Sequence, residues 1–185
     1  MKALSGRILI EIIQNKNETE SGLTVINTKE RPMKAKVLSC GDDIVEGKFT
    51  VKKPCQDGDI IYIKERGVQS FSGDEANEAS RGGIGFIYFK HVVGIDRENT
   101  VDAVFDNVIV DVTYEKKIGS IYIPESSQKT LTDFKCIVVS VGPDVKDDVK
   151  IGDEIIIDRG EGFIIKKDNR NLLSISPNRR LAVIS

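Results

Sequence analysis

Arg7-Ile8-Leu9-Ile10-Glu11-Ile12 returns, at an offset of 100 residues, as Asn107-Val108-Ile109-Val110-Asp111-Val112. Each run is short, β-branched and closed by polar residues, which is a strand signal. A polar stretch follows each: Gln14 to Ser21 in the first case, Thr113 to Gly119 in the second. Gly22-Leu23-Thr24-Val25 then corresponds to Ser120-Ile121-Tyr122-Ile123. Val37-Leu38-Ser39-Cys40-Gly41-Asp42-Asp43 matches Val138-Val139-Ser140-Val141-Gly142-Pro143-Asp144 at an offset of 101, and Gly58-Asp59-Ile60-Ile61 matches Gly152-Asp153-Glu154-Ile155 at 94. Last, Val92-Val93-Gly94-Ile95 matches Leu181-Ala182-Val183-Ile184 at 89. A drifting offset with a fixed order of features places insertions and deletions in loops while strands persist. Such a period is too long for a solenoid repeat. It reads as two copies of one domain, residues 1–97 and 98–185, with the boundary in the polar stretch Asp96 to Thr100.

The rest of the chain supports an all-β fold. Further short Val/Ile/Phe/Tyr-rich runs lie at Gly85 to Phe89, Glu154 to Asp158, Gly162 to Ile165 and Leu172 to Ile175. Turn residues separate them, as in Asp57-Gly58-Asp59, Gly142-Pro143-Asp144 and Asp168-Asn169. No segment sustains a 3.6-residue period over three turns. Many short strands so punctuated indicate β-barrels or sandwiches.

Composition removes several classes of function. Hydrophobic residues make up 39% of 185, in the globular range once Gly is added. With 27 basic and 29 acidic residues the net charge is −2, which disfavours a dedicated nucleic-acid binder. No apolar run reaches the length that spans a bilayer, and Arg7 and Glu11 interrupt any signal-peptide core, so a cytoplasmic location is expected. Cys40, Cys55, His91 and Cys136 are too far apart in sequence for a structural zinc site; reduced, packed thiols are the expectation, with no metal and no cofactor. His91, the sole histidine, lies in a strand-like run (Tyr88 to Ile95) and is expected to face outward, not to serve as a catalytic base. Gly82-Gly83-Ile84-Gly85 precedes a strand-like run and reads as a loop, not a dinucleotide site. No catalytic residues are expected. Asp59 and Asp153, each after Gly, are expected to accept turn hydrogen bonds from nearby amides.

Taken in order, these motifs resemble the chaperonin-10 (GroES) co-chaperonin family in both halves. That family opens with a strand near L-x-D-R-[VI]-[LIV]-[VI], beside which stand Leu4 to Ile12 and Val104 to Val112. A polar mobile loop ending in G-G-[IVL]-x-[LIV], often followed by Pro-Glu, is similar to Gly119-Ser120-Ile121-Tyr122-Ile123-Pro124-Glu125 and, more loosely, to Ser21-Gly22-Leu23-Thr24-Val25. A G-x-V-[LV]-x-V-G strand resembles Lys34 to Gly41 and Lys135 to Gly142; a V-x-x-G-D-x-[VI] segment resembles Val149 to Ile157 and, as a poorer copy, Cys55 to Ile63; the closing L-A-[IV]-[IV] resembles Leu181 to Ile184.

The resemblance implies two GroES-like Greek-key β-barrels in tandem and a co-chaperonin that caps a chaperonin-60 ring without being an enzyme. It also implies mobile loops at Gly119, Ser120, Ile121, Tyr122 and Ile123 and at Gly22, Leu23, Thr24 and Val25. Leu23, Val25, Ile121 and Ile123 also fit a plain strand with one face on a core, because apolar residues two apart share a face. Family members are usually single domains in seven-fold rings. Edge strands such as Arg7 to Ile13 and Leu181 to Ile184 would join copies into a homo-oligomer. The duplicated chain departs from the usual pattern by a shortened roof loop in copy two (Gly142 to Ile151) and an insertion in copy one (Ser70 to Gly85). A structural or assembly component of a bacteriophage that reuses the fold is the alternative. A dehydrogenase containing such a barrel would need a nucleotide-binding α/β domain and zinc ligands, which this sequence lacks.

Overall fold

The computed structural model describes residues 2–13, 33–64, 67–70, 83–112, 117–118, 121–122, 133–146, 148–158, 162–168, 170–176 and 182–184. Backbone contacts divide the chain into two compact units, Met1–Glu98 and Asn99–Ser185. Strand dominates both; helical geometry among the described residues is confined to 3-10 positions, at Phe89–His91 and at Gly67.

In unit one, β1 (Arg7–Ile13) pairs antiparallel with β2 (Met33–Cys40) on one side and, on the other, with β7 (Ile84–Tyr88). A separate hairpin, β3 (Ile44–Glu46) with β4 (Phe49–Val51), follows β2. With β5 (Ile60–Ile63), β6 (Gln69–Ser70) and β8 (Val92–Asp96), the sheet within this unit runs β6-β7-β1-β2-β5-β8. From β5 the chain crosses to the far end of the sheet for β6 and β7, then returns to lay β8 beside β5. This is a Greek-key path.

Unit two opens with β9 (Val101–Ala103) and β10 (Val108–Val112), then the two-residue strands β11 (Lys117–Ile118) and β12 (Ile121–Tyr122). It continues with β13 (Asp133–Val141), β14 (Glu154–Asp158), β15 (Phe163–Lys167), β16 (Arg170–Ile175) and β17 (Ala182–Ile184). Its sheet order is β15-β16-β10-β13-β14-β17. Read strand for strand, this is the order of unit one, with β10 in the place of β1 and β13 in the place of β2.

The likeness extends to single hydrogen bonds. The first strand's pairing shifts register between Leu9 and Ile10 in one unit and between Ile109 and Val110 in the other. Gly41 N–H donates to the Arg7 carbonyl at 2.9 Å, and Gly142 N–H to the Asn107 carbonyl at 2.9 Å. Val37 N–H donates to Asp59 O at 2.8 Å, and Val138 N–H to Asp153 O at 2.9 Å. The serine two residues before each of these glycines accepts from a backbone amide: Ser39 Oγ from Ala3, Ser140 Oγ from Ala103.

Both Gly-Asp turns are built as expected from sequence. Asp59 Oδ2 accepts the Gln56 amide and Asp153 Oδ2 the Lys150 amide, each at 2.8 Å. The glycine before each aspartate has positive φ, +91° at Gly58 and +95° at Gly152, a conformation that costs L-residues steric strain.

Each unit has its own apolar core. In unit one Ile8, Ile10, Val37, Ile61, Ile63, Ile87 and Phe89 are buried. In unit two Val108, Val110, Cys136, Val138, Ile155, Ile157, Leu173 and Ile175 form one buried cluster.

Three readings of the sequence change. His91 is not on a strand: it ends the 3-10 turn between β7 and β8, half-buried, where a Cβ on Gly67 would lie 2.3 Å from its ring. The last strands align at an offset of 88 (182 − 94) rather than 89: Gly94 faces Tyr62 and Ala182 faces Ile156, and a bulge between Tyr62 and Ile63 then takes up one residue of β8. The roof segment of copy one, Gly41 to Asp57, contains the β3–β4 hairpin, two strands absent from the sequence expectation.

Candidate functional site

Two adjacent antiparallel strands frame the candidate segment in each unit. In unit two β10 ends at Val112, paired with Cys136 of β13, and residues 113–132 join the two strands. In unit one β1 ends at Ile13, paired with Lys34 of β2, and residues 14–32 make the same connection. Strands so paired hold both ends of the connection together, and a two-residue hairpin would suffice to join them. These connections are far longer than that.

Within 113–132 the described residues form a small ladder, Lys117 opposite Tyr122 and Ile118 opposite Ile121. Ile121 and Tyr122 therefore lie on β12, and Lys117 and Ile118, which the sequence places in a polar connection, pair with them. Gly119, Ser120 and Ile123 lie outside the described residues, as do Gly22, Leu23, Thr24 and Val25 of unit one.

The hairpin β3–β4 is the element that sequence reading missed. Glu46 pairs with Phe49 across Gly47-Lys48, and Gly47 has φ +61°. Glycine at the first of two central residues is the signature of a type II′ hairpin turn, so the signal was present in Val45-Glu46-Gly47-Lys48-Phe49. The hairpin puts apolar residues into solvent: Phe49 is 80% and Val45 69% exposed.

The chemistry available elsewhere is structural. Among the described residues no three His, Cys, Asp or Glu side chains converge to hold a metal ion. No buried side-chain N or O atom among them lacks a hydrogen-bond partner. Burial, with Lys90 and Lys64 nearby, holds the His91 imidazole below its ordinary value, which favours the neutral ring. Burial, with Asp111 nearby, pushes the Cys136 thiol up to about 12. Exposed Lys150 is raised by its hydrogen bond to Asp148, at 3.0 Å. Arg7 lies over the rings of Phe86 and Tyr88 on the β1–β7 pair, at 5.6 and 5.5 Å.

An all-β chain with this repeated strand order, and a long connection between the first two strands of each sheet, defines a protein of GroES-like β-barrel fold. The profile of the family described as "Chaperonin 10 Kd subunit" matches residues 100–184, which is unit two. The chain is 38% identical to a "Co-chaperonin GroES" from Thermotoga petrophila, over 39% of this chain and 76% of that relative. It is 33% identical to a "Co-chaperonin GroES" from Cutibacterium acnes, over 36% of this chain and 70% of the relative. The chain belongs to the chaperonin-10 co-chaperonin family. Its function is accordingly of the co-chaperonin kind, and the relatives' names describe no enzyme.

Proposed function

We propose that this chain is a tandem co-chaperonin: two GroES-like barrels, residues 1–97 and 98–185, that cap a chaperonin-60 ring through the connections after their first strands. The observation that carries the reading is the family match over residues 100–184, joined to the same strand order in residues 2–98. In this reading Gly119, Ser120, Ile121, Tyr122 and Ile123 are the attachment segment of copy two. Gly22, Leu23, Thr24 and Val25 serve copy one. The chain performs no bond chemistry, needs no cofactor and works in the cytoplasm, joined to further copies through its edge strands.

Ile121 and Ile123 supply the affinity. Each apolar side chain is worth roughly 1.5–3 kcal/mol if fully buried on the partner. Ordering a segment on binding lowers the net affinity of one contact, and several such contacts in one assembly restore it multiplicatively.

The double substitution Ile121→Ser, Ile123→Ser is expected to weaken nucleotide-dependent binding to a chaperonin-60 ring by up to about 3–6 kcal/mol per segment. The melting temperature should stay within a degree or two of the parent. Leu23→Ser with Val25→Ser should do less, because copy one fits the motif less closely. Pull-down with chaperonin-60 and ATP, beside a melting curve for each variant, reads both. Normal binding by the copy-two variant would remove the site assignment. Failure of the parent chain to bind any chaperonin-60 ring would favour a structural reuse of the fold.

A further inference from the structure

We propose that Cys40 and Cys55 form a modification site: a dithiol that a hydroperoxide converts into a reversible intramolecular disulfide across the base of the β3–β4 hairpin. The inference goes beyond the co-chaperonin reading and rests on packing in unit one alone. Cys40 is the last residue of β2, and Cys55 follows β4; both are buried, with sulfurs 3.6 Å apart. The backbone around them is pinned. Cys40 N–H donates to Asp57 Oδ1 at 2.7 Å, and Gly58 N–H to Val37 O at 2.9 Å. A disulfide needs its sulfurs at about 2.05 Å, so closure asks for a shift of roughly 1.5 Å, shared between two short side chains.

Unit two shows what this pair of positions does without sulfur. The offsets that align Val37 with Val138 and Gly58 with Gly152 place Val141 opposite Cys40 and Val149 opposite Cys55. Val141 packs against the unit-two core of which Val149 is a buried member. The fold thus brings these two positions into one core by itself, and unit one places thiols at both.

The pair is also polarised. The hydrogen bond from Cys55 lowers the Cys40 thiol, with help from Lys53 and against burial, while the same hydrogen bond and burial raise Cys55. Cys40 is therefore the sulfur that ionises first, and the thiolate is the nucleophile.

The steps balance. The Cys40 thiolate attacks one oxygen of hydrogen peroxide; an S–O bond forms, the O–O bond breaks, and hydroxide leaves. Cys55 gives its proton to that hydroxide and attacks the Cys40 sulfur; the S–S bond forms, the S–O bond breaks, and the second oxygen departs as hydroxide and takes up the proton released when Cys40 ionised. The dithiol loses two electrons and two protons, and the peroxide becomes two waters.

Cys136, the one cysteine of unit two, is an internal control, since it is buried and its thiol is pushed up to about 12. The experiment treats the full chain with hydrogen peroxide, alkylates the remaining thiols and maps peptides by mass. The expected result is joint loss of the Cys40 and Cys55 thiols, a linked peptide pair lighter by two hydrogens, retention of the Cys136 thiol and full reversal by dithiothreitol. The oxidised chain should melt higher by about 10 °C, as closing a loop of this length in a domain of this size predicts. Cys55→Val, which copies Val149, should fold and leave a Cys40 sulfenic acid that dimedone captures. The proposal is overturned if Cys40 and Cys55 stay alkylatable as long as Cys136 does. It is equally overturned if oxidation joins separate chains only, or if Cys40 in the parent chain runs on to sulfinic acid.

Discussion

Gly142 stands where no side chain fits. A Cβ there would lie 2.3 Å from the Phe105 carbonyl oxygen and 2.8 Å from that of Asn107; at Gly41 the Leu4 carbonyl oxygen would be at 1.9 Å. These contacts are with backbone, so no rotamer relieves them. Gly152 differs, because a Cβ would meet nothing within 4 Å and only its positive φ resists substitution. Gly142→Ala should therefore cost more than about 3 kcal/mol, in the range kept for core disruption, and Gly152→Ala only about 1–2 kcal/mol. Chemical denaturation of both variants reads the difference; equal costs would show that the close approach relaxes. Cys136 gives the stability a pH dependence. Its folded value, about 12, lies above the ordinary 9.0, so the unfolded chain ionises first as pH rises. The contribution of this buried neutral thiol is complete below pH 9 and drains away toward pH 12, by at most about 1.4 kcal/mol per pH unit. Cys136→Val should flatten that alkaline slope in a pH series of melting curves.

At the level of elements, burial separates the strands that hold the fold from those that decorate it. Ile61 on β5 is fully buried, whereas Phe49 on β4 stands 80% exposed. Ile61→Ala should cost about 2–5 kcal/mol, as large-to-small core changes do. Phe49→Ser should fall within about 0.5 kcal/mol of the parent, as exposed substitutions do. Urea titration of the two variants checks both figures. The same contrast explains what could be read in advance. β1, β10 and β14 were legible because one face must be apolar over several residues, and a strand in the core leaves that mark. The β3–β4 hairpin carries no such demand, since its apolar residues face solvent, and only Gly47 announces it. His91 was misplaced because Phe89 and Val92, both buried, continue an apolar run through a turn, and hydropathy alone does not show where a strand stops. At the candidate site, chain order and the framing strands were legible. The pairing of Lys117-Ile118 with Ile121-Tyr122 was not, for two-residue strands hold too little pattern to stand out.

For the whole molecule, the two units own separate cores, Ile61 and Ile63 in one and Ile155 and Ile157 in the other. Ile61→Ala should lower one thermal transition and Ile155→Ala the other, with calorimetry assigning each; a single transition moved equally by both variants would mean that the cores melt as one. In the tandem reading proposed above, covalent linkage of the two barrels has an arithmetical effect on any closed assembly. A ring made solely of such chains contains two barrels per chain, so its barrel count is even whatever number of chains closes it. A partner with an odd rotational order would then meet a cap of different parity. At least one barrel would sit out of step with the partner's sites, or one partner site would stay empty.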